Sequence, residues 1–304
     1  MIDAPAPPDG PAPRRRTLRL RDGEASALEF GDPDRPLDVI FSHANGFNAL
    51  TYRSILQPLA TEMRILAVDQ RGHGESRLPA DAQAYRRSWG IQRRDLVEVI
   101  DREARGAPVV LAGHSMGAIV SLLAAERREE RVRSVVMFEP VLLPYRASLY
   151  ARLPWVSGLL WKQLPMAIAA RKRRSNFDRA ELALASYRGR GAFRTWPDET
   201  LQDYVEGGLR PTADGFELAC SPEWEAANYA AQANDSWGAM RRLKWPMTVF
   251  LAERDSSCFA TPADLTRRNP LLKVIPVPGT THFLPMERPD VVQAALRGAV
   301  RLPR

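Results

Sequence analysis

Cysteine is nearly absent from this chain: Cys220 and Cys258 are the only two in 304 residues. They form no disulfide framework and no metal-binding Cys motif. Histidine is almost as scarce. The four present, His43, His73, His114 and His282, are scattered without the spacing of a metal site. No Walker loop and no dinucleotide glycine pattern occurs, so neither a metal nor an organic cofactor is implied. Long apolar runs are missing too. The longest, residues 109–125, is broken by Gly113, His114 and Ser115, which excludes stable membrane insertion. The first residues, Met1-Ile2-Asp3-Ala4-Pro5-Ala6-Pro7-Pro8, have no basic start, no apolar core and no lipidation signal. No secretory signal is expected there, and a cytoplasmic location is the default expectation.

What is there describes a globular protein: 45% hydrophobic and 26% charged residues. The net charge of +7 comes mostly from arginine, but acidic residues are interleaved with it. Two local clusters stand out, Arg14–Arg16 and Arg171–Arg174. No helix-turn-helix, zinc-finger or aromatic RNA-binding pattern accompanies them, so a nucleic-acid partner is not expected and solvated surface is the reading for both. Residues 1–13 read as a disordered Pro/Ala tail.

Short strands at 16–20 and 25–30 flank an Asp22-Gly23 turn, a hairpin signal. Apolar strands follow at 37–42, 64–68 and 132–138, and another opens at Val109 and runs into Gly113, with helices expected at about 51–60 and 88–104 and a buried helix carrying Ile119 to Ala125. This alternation implies an α/β fold with a mostly parallel central sheet and helices on both faces. From about 143 to 242 the alternation stops, and the chain reads as helical, aromatic-rich and without clear strands. Strands resume at 247–252 and 273–277, before a final helix at about 290–300. One α/β domain (14–142 and 243–304) interrupted by a helical cap (143–242) accounts for this better than two consecutive domains.

The chemistry concentrates at Gly113-His114-Ser115-Met116-Gly117. A buried strand runs into this string, and an apolar helix leaves it. That is the pattern of a nucleophile elbow with Ser115 at the tip. Glycines two residues either side give the sharp turn its room, and the helix N-terminus faces any negative charge that develops at the serine.

Together with four other segments, the elbow resembles the α/β-hydrolase fold superfamily. Those segments are His43-Ala44-Asn45-Gly46, Asp69–Ser76, Glu253-Arg254-Asp255 and Pro278–Phe283. The resemblance implies the order nucleophile, acid, histidine, with Ser115 as nucleophile and His282 as general base. It offers two acids. Asp255, after the 247–252 strand, is the first choice, and Glu139, after the 132–138 strand, is the alternative. Asp69 is set aside as a turn-bonding residue. The oxyanion donors are expected from Met116 and Asn45, although Ala44 stands where the family usually has glycine. His43, His73 and His114 are expected to be structural.

A serine at the elbow suits an acyl-enzyme and therefore esters, thioesters, lactones, amides or activated carbon–carbon bonds. The leading expectation is an esterase or lipase-like enzyme acting on a medium-sized, small-molecule apolar ester. The alternatives are a carbon–carbon (diketone-type) hydrolase and a non-catalytic ligand receptor on the same fold. Trp155, Trp161, Trp196, Trp224 and Trp237 all fall in the insertion. Some of them are expected to line an apolar pocket over Ser115. The apolar stretch 153–161 is expected to pack against the core, with a lid or membrane-touching face as the alternative.

Overall fold

The computed structural model describes residues 10–84, 87–153 and 164–302. Eight strands form the main sheet: β1 (Arg14–Leu20), β2 (Gly23–Phe30), β3 (Val39–Ser42), β4 (Ile65–Val68), β5 (Val109–His114), β6 (Val132–Phe138), β10 (Met247–Ala252) and β11 (Leu272–Val277). Their order across the sheet is β1-β2-β4-β3-β5-β6-β10-β11. The β1–β2 hairpin is antiparallel and joins β4 antiparallel, and every pairing from β4 onward is parallel. The expected α/β architecture is present, with each expected strand of the sheet within two residues of its sequence bounds.

The strand sequences explain why both faces are covered. In β5 every residue is buried, and successive side chains alternate between two apolar clusters. Val109 and Leu111 pack beneath the Gly90–Glu103 and Met116–Ala125 helices, which contribute Leu96, Val99, Ile100, Ile119 and Leu122. Val110 and Ala112 face the other layer, where Ile55, Leu56 and Leu59 meet Val292 and Leu296 of the Pro289–Val300 helix. The Met116–Ala125 helix is buried at all ten positions, which is why its sequence is apolar all round rather than striped.

β6 and β10 are neighbours in the sheet, yet more than a hundred residues separate them in the chain. The intervening segment is therefore an insertion. It carries helices at Tyr145–Ala151, Pro165–Arg171, Ala180–Tyr187, Asp198–Gly208, Pro222–Ala230 and Ser236–Arg242. It also carries a three-stranded antiparallel sheet that the sequence reading did not expect. Its strands are β7 (Asn176–Phe177), β8 (Leu209–Thr212) and β9 (Gly215–Leu218), in the order β7-β9-β8. Each strand has four residues or fewer, too short for a visible alternation, and Pro211 obscured the β8 signal. Gly215, at φ +136°, supplies the hairpin turn. The Ser236–Arg242 helix packs Trp237, Ala239 and Met240 into the main core. Trp155 and Trp161, with most of the apolar stretch 153–161, lie outside the described residues, as do residues 1–9 of the expected tail. Gly10 is held by a hydrogen bond from Gln57. No helix among the described residues is long and apolar enough to cross a membrane.

Candidate active site

β5 ends at His114, and the chain turns at once into the Met116–Ala125 helix. Ser115 takes φ 57° and ψ −119°, a left-handed backbone rarely adopted by a residue with a side chain. The flanking glycines are forced by packing. A Cβ on Gly113 would lie 2.5 Å from the Gly117 carbonyl group, and one on Gly117 would lie 2.2 Å from the Ser42 carbonyl oxygen. The turn is anchored by the Ser115 N–H, which donates to Phe138 O on the adjacent strand.

His282 sits in the loop after β11. Thr281 holds that loop by donating from its N–H and its hydroxyl to the Glu287 carboxylate. The imidazole reaches both ways: Nε2 lies 3.0 Å from Ser115 Oγ, and Nδ1 lies 3.3 Å from Glu139 Oε2. Glu139 is wholly buried, and its backbone also bends through positive φ, at 47°. Strand register accounts for its reach. His114 pairs with Phe138, so Ser115 and Glu139 leave neighbouring strands at the same level.

Asp255, the first-choice acid, is not the carboxylate that meets His282; Glu139, the alternative, is. The Asp255 side chain is exposed, and among the described residues its carboxylate makes no hydrogen bond or ion pair. The loop after β10 serves the site differently, by holding Glu139. The Ala252 N–H donates to Oε1 at 2.6 Å, the Ser256 hydroxyl lies 2.9 Å from both oxygens, and the Ser257 N–H donates to Oε2 at 3.1 Å. With the histidine, these donors enclose the carboxylate. Asp255 carries the positive φ, 52°, that turns the chain toward Ser256 and Ser257. The adjacent serines are the signal that sequence reasoning passed over.

The two N–H groups expected as oxyanion donors are unused. Neither the Met116 nor the Asn45 N–H donates to any group among the described residues. Several neighbouring polar groups of the Asn45 loop are committed. Ala44 O accepts from His43 Nδ1–H and from the Phe47 N–H, and the Gly46 N–H donates to His73 Nε2. The Ala44 N–H donates to the Tyr52 hydroxyl, which lies 2.8 Å from His114 Nδ1, while His114 Nε2–H donates to His282 O. The three histidines thus tie the loops together. His43 and His73 each accept from a backbone N–H, so both are neutral. Burial pushes His43 down to about 4 and holds His73 and His114 well below the usual imidazole value.

Asp69 accepts from Arg15, from the Ala49 N–H and from the Glu75 N–H, far from any role beside His282. The arginine clusters lie largely at the surface, with ion pairs reaching inward from it. Arg14 and Arg16 pair with buried Glu29, and Arg15 pairs with Asp69. Arg173 points inward to Glu225 and to the Tyr187 and Tyr204 hydroxyls. Both cysteines are free and buried.

Of the insertion's described tryptophans, Trp196 is the one that meets rings flanking the site. Its ring centre lies 5.3 Å from Phe47, which follows the Asn45-Gly46 turn, and 5.7 Å from Phe283, which follows His282. Trp224 and Trp237 instead serve packing, donating to Arg71 O and Leu143 O. Among the described residues, no group of three or more potential ligand residues could hold a metal ion.

This arrangement has relatives. The chain is 26% identical over 267 residues to the 2-(acetamidomethylene)succinate hydrolase of Mesorhizobium japonicum, covering 85% of this chain and 86% of that protein. It is 28% identical over 341 aligned positions to epoxide hydrolase A of Mycobacterium tuberculosis, covering 94% and 96%. Among solved structures, that of an E-2-(acetamidomethylene)succinate hydrolase superposes with a TM-score of 0.78 at 24% identity, over 95% of this chain and all of the other. The model of the alpha/beta hydrolase family matches residues 39–295, and the chain belongs to that family as an enzyme of its class.

Proposed function

We propose that this enzyme is a serine hydrolase that cleaves a medium-sized apolar carboxylic ester through an acyl-enzyme. The observation that carries the reading is the unbroken series Ser115 Oγ, His282 Nε2, His282 Nδ1 and Glu139 Oε2, with separations of 3.0 and 3.3 Å. In the Nδ1–H tautomer, His282 donates to Glu139 and presents a bare Nε2 to the serine hydroxyl. Ser115 Oγ attacks the acyl carbon while its proton passes to Nε2. The carbonyl oxygen becomes an oxyanion that accepts from the Met116 and Asn45 N–H groups. Collapse expels the alcohol, which takes the proton back from Nε2. Water, deprotonated by the same nitrogen, then releases the acid and restores Ser115.

The substrate's apolar part is assigned to the insertion, which acts as a cap. Trp196, Phe47 and Phe283 form an aromatic wall beside His282, suited to an acyl chain or ring. A fluorophosphonate probe followed by peptide mapping tests the nucleophile, and turnover on p-nitrophenyl esters from acetate to decanoate tests the substrate class. Labelling of Ser115 with a turnover maximum at intermediate chain length supports the reading. Labelling with no ester turnover, but with turnover of 2-(acetamidomethylene)succinate or of a diketone, moves the reaction to another acyl class on the same serine.

A further inference from the structure

The Asn45 N–H sits on a peptide that is fixed on one edge only by its own loop. Its carbonyl partner, Ala44 O, accepts from His43 Nδ1–H at 2.7 Å and from the Phe47 N–H at 3.1 Å. The other edge is set by the Asn45 side chain, and that side chain belongs to the insertion's hydrogen bonding. Its Nδ2 donates to Glu225 O, and its Oδ1 accepts from Asn228 Nδ2, both at 3.0 Å. Asn228 Oδ1 accepts in turn from Gln92 Nε2 at 2.9 Å, and Asn228 O accepts from Trp89 Nε1. Four amide groups therefore run head to tail in one direction: Gln92, Asn228, Asn45 and the Glu225 carbonyl. Asn45, Asn228 and Gln92 are all buried.

Two features separate this row from general packing. It consumes both ends of the Asn45 side chain, while the backbone N–H has no partner among the described residues. The Pro222–Ala230 helix also presses directly on the loop. Gly46, at φ +76°, has no room for a Cβ, which would lie 2.7 Å from Glu225 Oε1.

We propose that Asn228 is a positioning residue through which the inserted segment sets the direction of the Asn45 N–H, so that one wall of the oxyanion site is held by the part of the chain that meets the substrate. The proposal rests on the serine-hydrolase reading above. The N–H itself survives any change at Asn228, so the loss should be smaller than the 10²–10³-fold cost of deleting a donor. Displacing a preorganised donor weakens transition-state binding and leaves ground-state binding almost untouched.

The test uses Asn228→Ala, Asn45→Ala and the double variant in the full-length enzyme, normalised by active-site titration. The substrate is p-nitrophenyl acetate, and a trifluoromethyl ketone, which forms a tetrahedral adduct, is the transition-state probe. Each single variant should lower kcat by about 10–100-fold with KM within about threefold. The ketone's Ki should rise by the factor that kcat/KM falls. The double variant should lose no more than Asn45→Ala alone, because both act on one peptide.

Should Asn228→Ala not fold, the isosteric Asn228→Asp carries the test. It sets a carboxylate oxygen against Asn45 Oδ1, and its loss relative to wild type should be larger at pH 8 than at pH 6. Wild-type kcat and Ki in the folded variants overturn the proposal, as does a fall in kcat with no change in Ki. Ser115→Ala separates the two levels. If it keeps turnover, the serine reading fails and this proposal with it. If it is inactive while the Asn228 variants behave as wild type, only the coupling fails.

Discussion

Replacing Glu139 by glutamine probes the assignment of the acid most directly, because the surrounding donors dictate how the new amide must sit. The Ala252 N–H, 2.6 Å from Oε1, requires an acceptor there, so the amide oxygen takes that position. The amide nitrogen then falls at the Oε2 position, facing His282 Nδ1 and the Ser257 N–H. It donates to Nδ1 and forces the imidazole into the Nε2–H tautomer. That tautomer points a proton at Ser115 Oγ and cannot accept one. In the Ser-His-Asp template the equivalent change lowers kcat by about 10⁴, or about 5 kcal/mol of transition-state stabilisation. The same loss is expected here. The Ser257 N–H, left against another donor, costs about 1–3 kcal/mol of stability, a fall of a few degrees in Tm. The variant should therefore remain folded, and the loss should be chemical. The assay is kcat on p-nitrophenyl butyrate with titrated active sites, beside Asp255→Asn, which should stay within about twofold of wild type. A Glu139→Gln enzyme within tenfold of wild type, or a larger loss in Asp255→Asn, refutes the argument from register and returns the acid to the β10 loop.

Ser115→Ala should fold normally and lose at least about four orders of magnitude in turnover, read by the same assay with thermal melting as the control. Gly117→Ala should fail to give soluble folded enzyme, since its methyl would meet the Ser42 carbonyl at 2.2 Å; circular dichroism and gel filtration decide it. Trp196→Phe should move the preferred acyl chain longer while sparing p-nitrophenyl acetate, with each added methylene worth about 1–3 kcal/mol in relative kcat/KM. Buried His43 has its pKa pushed down from 6.5 to about 4. The unfolded chain therefore takes up a proton first as pH falls. The stability that neutral His43 confers is complete above about pH 6.5 and drains away between about 6.5 and 4, by up to about 3 kcal/mol. The gap in urea-unfolding free energy between wild type and a folded His43→Gln variant should narrow by that amount across this window, and a constant gap counts against it.

Sequence periodicity marked the sheet well because its central strands are buried on both faces and its helices are long enough to show a stripe or a saturated run. The elbow was legible for a stronger reason. Gly113 and Gly117 have no steric alternative, so backbone geometry dictates the residue types and the pattern survives as a string. The acid had no such string. Either a β6 or a β10 carboxylate can satisfy a histidine, and what distinguishes them is donors in the neighbouring loop, which no motif spells out. Here Ser256 and Ser257 hold Glu139, and Asp255 is left to turn the chain. Arg173 misled in the opposite direction. A run of four basic residues reads as a solvated face, and three of these are exposed, yet Arg173 is drawn inside by Glu225 and two tyrosine hydroxyls contributed from other segments.

The insertion was hardest to read because its hydrogen bonds to the Asn45 loop run through polar side chains with no periodicity at all. Asn45 and Asn228 are 183 residues apart, and an asparagine in a loop or short helix carries no sequence mark of its partner. Aromatic density pointed to a pocket wall, and Trp196 does lie against Phe47 and Phe283. The hydrogen-bonded grip on the Asn45 loop implies something the aromatics alone do not. Substitutions in the Pro222–Ala230 helix that touch no substrate should alter kcat even for an ester too small to reach the aromatic wall. Substitutions at Trp196 should alter selectivity among long esters and leave the small one alone. A scan that found both kinds of position changing only selectivity would separate the insertion from the oxyanion site and leave it a wall and nothing more.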